Sequence, residues 1–358
     1  MKRFTRDDSL WMRLQKETRP VFLYGTGNGA DKILDVCEHF GIPVEGVFAS
    51  SDFVRNRSFR GMPVQSLPMI EEKYGDDFVV LLAFGTTLLA VAENIRKVAE
   101  KHTLYIPEVP LYGKELFNYE YYLENLEKIE SAYGLFEDET SKKVYEDMIG
   151  FRLSGEPKLL ANAEPVAASY ENILGVGKYG CVLDCGAYKG DSTEMIARVL
   201  SPEKIIAVEP DPKTFLKLSA YAENETRSTV LPVNAAAGGS VGTVEFMSSQ
   251  SRGSGKEGLS KSAKNVEVRV MTVDGIAGEE KVDLIKLDVE GDENDAIDGA
   301  LSVIKRDKPS MAISVYHRTE DIFDIPCRIK ELLPEHTLML RREECIPAWD
   351  ITLFAVRN

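Results

Sequence analysis

The residues best suited to holding a small charged ligand lie in the stretch VLDCGAYKGDS, which begins at Val182. Asp184 ends an apolar run, and Gly186 and Gly190 follow it with the spacing D-x-G-x-x-x-G before a helical pattern begins. Glycine lets the backbone approach a ligand in a strand-to-helix turn, and the N-terminus of a helix presents free N–H groups. The turn is therefore predicted to hold a small polar or anionic group.

A second acid stands nineteen residues past Gly190, where the next apolar run ends at Glu209 in VEPD. A carboxylate at such a strand end can accept hydrogen bonds from both hydroxyls of an adenosine ribose. The phosphate-binding pattern G-x-G-x-x-G is absent here, and Asp184 in the turn would repel a pyrophosphate but attract an ammonium or a sulfonium. Charge therefore favours S-adenosylmethionine over a dinucleotide.

Two further acids, Asp288 and Glu290, lie two residues apart at the end of a later strand, so both side chains point to one face at the carboxyl edge of the sheet. We predict that Asp288 contacts the cofactor and that Glu290 forms part of the site; alternatively, Glu290 only caps the following helix. The next strand ends in ISVYHRTED, which places Tyr316 and His317 at the same edge, and a histidine with its ordinary pKa of about 6.5 can take a proton from a hydroxyl. His317 is the predicted general base, with a purely structural role as the alternative.

Strands and helices alternate in two series that would position these residues. Apolar runs followed by glycine-rich turns and helical patterns recur at Val21–Phe40 and Cys181–Leu200, which predicts two βα-type units. Residues 112–164 are rich in aromatic and acidic residues with a helical pattern, which predicts helices between the two series. Seven strands are predicted in the second series: Val182–Ala187, Lys204–Glu209, Thr229–Ala236, Val282–Glu290, Pro309–Tyr316, Thr337–Arg341 and Ile351–Val356.

One segment, Ser248–Asn265, interrupts this alternation with Gly, Ser and Lys between two alternating runs. It predicts a hairpin with a long tip, which is either a solvated loop or a lid over an acceptor pocket.

Composition sets limits on the function. A length of 358 residues corresponds to about two domains, and a formal charge of -15 opposes binding to nucleic acid. Five scattered cysteines predict no disulfide framework, no cluster has metal-ligand spacing, and no signal peptide is indicated. The longest apolar run, Val79–Ala92, is too short for a membrane span. These features predict a cytoplasmic protein without a metal.

The motifs DCGAYKGDST, VEPD, NAAAGG, RVMTVDGI and DLIKLDVEGDE, in this order, resemble the FkbM-type family of S-adenosylmethionine-dependent methyltransferases. The resemblance implies a class I methyltransferase fold, an α/β sheet of seven strands with the last strand antiparallel. It also implies a cofactor site with the methionine part near Asp184, Gly186, Ala187 and Gly190, the ribose at Glu209, the adenine at Asn234 and Ala235, and a further contact at Asp288. Tyr188 departs from the asparagine typical of the family.

The first half contains Gly25, Gly27 and Gly29 between a strand and a helix, with the acid expected for an NAD ribose displaced to Asp52. It resembles the Rossmann-like N-terminal domain of sugar O-acyltransferases, which implies a nucleotide or sugar-nucleotide site; otherwise this part is a scaffold or a homodimerisation domain. We predict three parts: a Rossmann-like domain (1–110), a helical connector (111–165) and a methyltransferase domain (166–358).

The predicted activity is methyl transfer from S-adenosylmethionine to an oxygen of a small-molecule or glycan acceptor. An NAD(P)-dependent enzyme acting on nucleotide sugars and a non-catalytic nucleoside sensor are the alternatives.

Overall fold

Each half of the chain contributes one large sheet. The computed structural model describes residues 1–50, 58–177, 179–248 and 264–357. In the first half the sheet has the order β3-β4-β2-β1-β5-β6, and only β3 and β4 pair antiparallel. Its strands are β1 (Val21–Tyr24), β2 (Gly46–Phe48), β3 (Ser58–Phe59), β4 (Met62–Gln65), β5 (Val79–Leu82) and β6 (Thr103–Tyr105). Its helices are α1 (Leu10–Leu14), α2 (Asn28–Phe40), α3 (Leu67–Tyr74) and α4 (Leu89–Lys101).

Three helices connect the halves: α5 (Tyr119–Glu124), α6 (Leu126–Gly134) and α7 (Glu139–Ser154). The side chain of Asp138 caps α7 by accepting the Ser141 N–H at 2.9 Å, and the helix ends at Gly155, whose φ is +65°. Residues 147–154 of α7 are all buried. The C-terminal half of α7 is therefore packed into the molecule, whereas α5 and α6 keep exposed residues such as Leu123.

The second half forms a sheet of seven strands in the order β15-β16-β14-β13-β7-β8-β9. They are β7 (Cys181–Cys185), β8 (Lys204–Val208), β9 (Thr229–Val233), β13 (Leu284–Leu287), β14 (Ser310–Ser314), β15 (Thr337–Arg342) and β16 (Ile351–Val356). Neighbours are parallel except that β16 runs antiparallel to both β14 and β15. This arrangement confirms the predicted fold class.

A smaller sheet of three strands is inserted between β9 and β13: β10 (Ala236–Ala237), β11 (Gly242–Ser248) and β12 (Lys264–Met271). The antiparallel pairing of β11 with β12 confirms the predicted hairpin. Its tip, and with it the lid hypothesis, lies outside the described residues, as does Asp52. The single strand predicted at Thr229–Ala236 is wrong: the chain leaves the large sheet after Val233, and Ala236 pairs with β12.

The helices of the second half are α8 (Val166–Ser169), α9 (Asp191–Val199), α10 (Pro212–Ala222), α11 (Val273–Ala277), α12 (Glu293–Asp298), α13 (Leu301–Asp307) and α14 (Asp321–Leu332). A π-helical turn, Tyr170–Leu174, follows α8, and 3₁₀ turns lie at Arg6–Asp8 and Pro157–Leu160. None of the described helices combines the length and the apolar character of a membrane span.

Parallel pairing sets the carboxyl ends of β7, β8, β13 and β14 at one edge of the sheet. In this register Asp184 lies beside Lys286 on one side and beside Ala207 on the other. The loops after these strands therefore converge, and they carry most of the residues singled out by the sequence.

Candidate active site

A cavity of about 350 Å³ opens at this edge of the second sheet. Its lining is rich in carboxylates: Asp191, Glu209, Asp288, Glu290, Asp292, Glu343 and Asp350. Among the residues that the structure describes, Lys286 is the one cation of the lining. The remaining wall includes aromatic side chains, namely Tyr170, Tyr188, Phe246 and Tyr316. Such a cavity attracts positively charged ligands.

The turn after β7 forms one wall. Gly186 has a φ of +83°, and a Cβ atom there would overlap the carbonyl oxygen of Asp288, so only glycine allows the two strand ends to come this close. Gly190 has a φ of +101°, and a Cβ there would lie 2.8 Å from the Tyr221 ring. Gly186 lines the cavity, whereas Gly190 and the buried Ala187 support the turn from behind.

Tyr188, which follows Ala187 in this turn, has the left-handed conformation, with a φ of +52°. Its backbone N–H donates to Glu209 Oε2 at 3.0 Å, and its side chain lines the cavity. The turn is thus tied to the end of β8 through a backbone group, which does not depend on the identity of the side chain.

Asp184 does not line the cavity. It is fully buried and accepts hydrogen bonds from the hydroxyls of Ser192 at 2.8 Å and Thr193 at 2.7 Å. Its Oδ1 also lies 3.1 Å from the ammonium of Lys286. The expectation that Asp184 attracts a cationic ligand directly is therefore corrected: its charge is compensated internally, and its visible role is to orient Ser192, which does line the cavity.

Glu209 lies at the end of β8 with its carboxylate on the cavity wall. It accepts the N–H groups of Tyr188 at 3.0 Å and Asp211 at 2.8 Å, and burial raises its pKa to about 8. Asn234 donates from Nδ2 to the carbonyl oxygens of Glu209 at 2.8 Å and Pro210 at 3.1 Å. Asn234 thus fixes the backbone beside Glu209 and does not line the cavity itself, whereas the following residue, Ala235, does.

Asp288 and Glu290 both line the cavity, but they do so from the turn after β13, because the strand predicted to reach Glu290 ends at Leu287. Asp288 Oδ1 accepts the Ser314 hydroxyl at 2.8 Å, and its Oδ2 lies 3.7 Å from the Lys286 ammonium. Glu290 has a φ of +56° and accepts the hydroxyl of Tyr112 at 2.6 Å. Burial raises the pKa of Glu290 to about 7.

The helix-capping alternative for Glu290 does not match its contacts. The N–H of Val289 donates to Glu293 Oε1 at 2.9 Å, while Glu290 binds Tyr112. Glu290 is thus turned toward the cavity and the connector.

His317 lies behind this wall with only 2% of its surface exposed. Its Nδ1 is 2.9 Å from Glu293 Oε1, and its Nε2 is 3.8 Å from Asp288 Oδ1 and 3.7 Å from Glu290 Oε2. Burial opposes its charge, but the three carboxylates outweigh this and raise its pKa to about 10. These carboxylates favour the protonated imidazolium, which must lose a proton before it can act as a base or as a ligand, and the role of His317 as general base stays a prediction.

Three site residues escaped the sequence analysis: Tyr112, Lys286 and Glu293. Lys286 stands in the IKLDVEG run, where a charged residue inside an apolar strand could have signalled a buried ion pair. Glu293 follows Glu290 by three residues and resembles an ordinary acid in the first turn of a helix. Tyr112 comes from the other half of the chain, and no local pattern marks it.

A second cavity, of about 260 Å³, lies at the carboxyl edge of the first sheet. Gly27 and Gly29 line it at the start of α2, together with Trp349 from the second half. Lys32 also lines it, but its ammonium donates to the carbonyl oxygens of Pro110 at 2.6 Å and Leu111 at 3.0 Å.

A comparison with known protein families finds a match for the segment that contains this site. Residues 184–343 match the model of the methyltransferase FkbM domain, which confirms the resemblance carried by the motifs. No curated protein sequence matches the chain. The resemblance of residues 1–110 to sugar O-acyltransferases and the boundaries at 110 and 165 stay predictions.

Among solved structures, the methyltransferase FkbM from Methylobacillus flagellatus KT is similar over 95% of this chain and 90% of its own, with 20% identity and a TM-score of 0.71. This likeness shows a shared fold through both halves. An rRNA methylase from Streptococcus thermophilus (12% identity, 54% of this chain, 96% of its own, TM-score 0.37) is more distant. So is Aeropyrum pernix fibrillarin with natively bound S-adenosyl-L-methionine (14% identity, 53% of this chain, 73% of its own, TM-score 0.34).

Proposed function

We propose that this protein transfers a methyl group from S-adenosylmethionine to an oxygen atom of a small-molecule or carbohydrate-like acceptor. The observation that carries the proposal is the position of Glu209: its carboxylate stands on the wall of a cavity at the carboxyl edge of an FkbM-type domain, next to the Gly186 turn. A carboxylate in this position suits the two hydroxyls of an adenosine ribose.

The charge of the cavity supports a sulfonium donor. Seven acids and one ammonium line the cavity among the described residues, and the wall favours a cation although burial raises the pKa of Glu209 and Glu290. Lys286 lies 3.1 Å from Asp184 and 3.7 Å from Asp288, so its single positive charge offsets only part of the negative charge of this wall. In this proposal the methionine part lies between Ser192 and Asp288.

Methyl transfer is an in-line displacement. The acceptor oxygen attacks the methyl carbon, the bond from that carbon to sulfur breaks with its electron pair staying on sulfur, and the acceptor's proton passes to a carboxylate of the wall. Most of the acceleration comes from holding oxygen and methyl carbon at about 3 Å in line with the leaving sulfur. The acceptor would occupy the part of the cavity formed by the segment after β14 and the loop between β15 and β16, near Tyr316, Glu343 and Asp350.

Calorimetric titration with S-adenosylmethionine tests the donor. We expect Glu209→Ala to weaken binding by about 1 to 3 kcal/mol, because charged hydrogen bonds to the ribose are lost. Glu194→Ala is the matched control, since Glu194 is an exposed acid of α9 outside the cavity lining. Equal affinity of the Glu209 variant and the wild type would remove the ribose assignment, and tighter binding of NAD than of S-adenosylmethionine would favour the oxidoreductase alternative.

The acceptor is tested separately by mass spectrometry. Enzyme and donor incubated with candidate glycans and small hydroxylated molecules should yield a product heavier by one methylene group. A gain of mass on amines alone would contradict transfer to oxygen.

A further inference from the structure

The residues behind the cavity wall form a compact nitrogen and oxygen cluster. One ligand atom each of Asp288, Glu293 and His317 can be chosen so that all lie within 4.8 Å of one another. They come from the end of β13, the first turn of α12 and the end of β14, so no spacing in the sequence brings them together. The prediction of a protein without a metal rested on such spacing.

The two sides of the His317 ring have different partners. Nδ1 is at hydrogen-bond distance, 2.9 Å, from Glu293 Oε1, whereas Nε2 stands 3.8 Å from Asp288 Oδ1 and 3.7 Å from Glu290 Oε2. These last two separations are beyond hydrogen-bond distance. They suit two ligand atoms bound to one ion, since bonds of about 2.1 Å set neighbouring ligands roughly 3 to 4 Å apart.

We propose that His317 Nε2 and the carboxylate of Asp288, with the carboxylate of Glu290 beside them, bind a divalent transition-metal ion, which displaces the proton from Nε2 into the solvent. Glu293 then holds the opposite ring nitrogen, in the arrangement of carboxylate, histidine and metal that fixes the tautomer and the orientation of a ligating ring. An imidazole nitrogen among the ligands favours a transition metal over Mg²⁺ or Ca²⁺, which prefer oxygen alone.

The contacts around the cluster fit this role. His317 is almost wholly buried, so its ring is held in place, while Asp288 and Glu290 reach the cavity. Ser314 donates to Asp288 Oδ1 at 2.8 Å and Tyr112 to Glu290 Oε2 at 2.6 Å, which orients both carboxylates. Open coordination positions would face the cavity. If the proposed methyl transfer holds, a hydroxyl of the acceptor could bind there, where an ion lowers the pKa of a bound hydroxyl.

The chain contains a matched comparison. Glu71, Asp76 and His102 form a similar group in the first half. There the ammonium of Lys101 lies 3.0 Å from Glu71 and 3.1 Å from Asp76, so a cation already occupies the position between the acids. His102 is also buried, with its Nε2 2.9 Å from Glu71 Oε1. It therefore serves as a control for replacing a buried histidine.

The test uses the full-length protein, freed of metal with EDTA and titrated with Co²⁺ by calorimetry and visible absorption, without methyl donor or acceptor. We expect one ion per chain, a loss of affinity of about a hundredfold or more in His317→Gln and Asp288→Asn, and wild-type binding in His102→Gln. Glu293→Gln should weaken binding by about 10 to 100-fold. Because the readout is the ion itself, it is independent of the proposed methyl transfer.

Pulsed electron paramagnetic resonance of Mn²⁺ bound to the wild type gives a second measurement if the His317 variant fails to fold. Modulation from one imidazole nitrogen supports the site. Absence of stoichiometric binding, binding without a nitrogen ligand, or undiminished binding in a folded His317→Gln protein would overturn it and leave His317 as a cation held by three carboxylates.

Discussion

The Lys286 ammonium lies between two aspartates of the candidate site, Asp184 and Asp288. Its side chain is 9% exposed, and its ammonium donates to the carbonyl oxygen of Gly186 at 2.8 Å while lying 3.1 Å from Asp184 and 3.7 Å from Asp288. Burial opposes this charge, but the two aspartates raise the pKa of Lys286 above its ordinary value. One cation thus holds the turn after β7 to the end of β13.

Replacing this cation should destabilise the protein. We expect Lys286→Met to lower the free energy of unfolding by about 3 to 5 kcal/mol, because Asp184 is left buried without its counter-charge. Lys204→Met is the control: its pair with Glu280 lies at the surface, and the urea midpoint should hardly move. The double variant Asp184→Asn, Lys286→Met should recover part of the loss. Equal urea midpoints for Lys286→Met and the wild type would contradict the role of Lys286.

The pKa of Glu209, raised to about 8 by burial, predicts a pH dependence for binding of the donor. The ribose hydroxyls need the ionised carboxylate as acceptor, so affinity should rise with pH and level off above about 8. Because most of the carboxyl groups are protonated at pH 6 and a much larger fraction is ionised at pH 8, the expected increase is about tenfold or more. Calorimetry at several pH values measures it. Glu209→Gln should bind with a flatter profile, and a wild-type affinity that falls between pH 6 and 8 would contradict the assignment.

At the level of elements, the sequence predicts the strands that are buried on both faces. Val21–Tyr24 and Val79–Leu82 are wholly buried and read as continuous apolar runs. The short β3–β4 hairpin escapes prediction, since it has only two residue pairs, includes Pro63 and has no buried residue. The break after Val233 escapes because Asn234 holds it through backbone carbonyls, a contact that has no periodic signature.

The sequence could predict those residues of the candidate site that directly follow a parallel strand. Gly186, Glu209, Asp288 and Glu290 reach the cavity because parallel strands end at one edge. What the sequence could not reveal is the state of charge of each group. A histidine at a strand end suggests a base, and only the fold surrounds His317 with carboxylates.

The turn after β7 gives a prediction at this scale. Gly186→Ala places a Cβ against the carbonyl oxygen of Asp288 at a φ of +83°, so we expect a loss of stability of about 3 kcal/mol or more and impaired binding of the donor. Gly242→Ala, at the start of β11, meets no atom within 4 Å and should change stability little. Urea unfolding compares the two. Similar midpoints for both variants would show that β7 and β13 can separate at no cost.

At the scale of the whole molecule, the two sheets share one core. A continuous buried cluster runs from Phe22 and Phe78 in the first half, through Phe151 of α7, to Leu340 and Leu353 in the second. Backbone hydrogen bonds in both directions join Thr86 to Ile346, at 2.6 and 3.1 Å. Tyr112, which precedes the second sheet in the chain, also reaches the candidate site, where its hydroxyl donates to Glu290 at 2.6 Å. The halves should therefore unfold together, although their sheets are separate.

Calorimetry of the intact chain tests this coupling at Gly85, which packs directly against the ring of Trp349. A Cβ there would overlap the ring, so Gly85→Ala should push the halves apart and lower the temperature of a single transition. Gly134→Ala is the control: it adds a methyl group in α6 with no atom within 4 Å and should leave stability unchanged or slightly higher. Two resolved transitions in the wild type, or a Gly85→Ala protein as stable as the wild type, would contradict a shared core. The hydrogen bond from Tyr112 to Glu290 in the candidate site would then not depend on the packing of the first sheet.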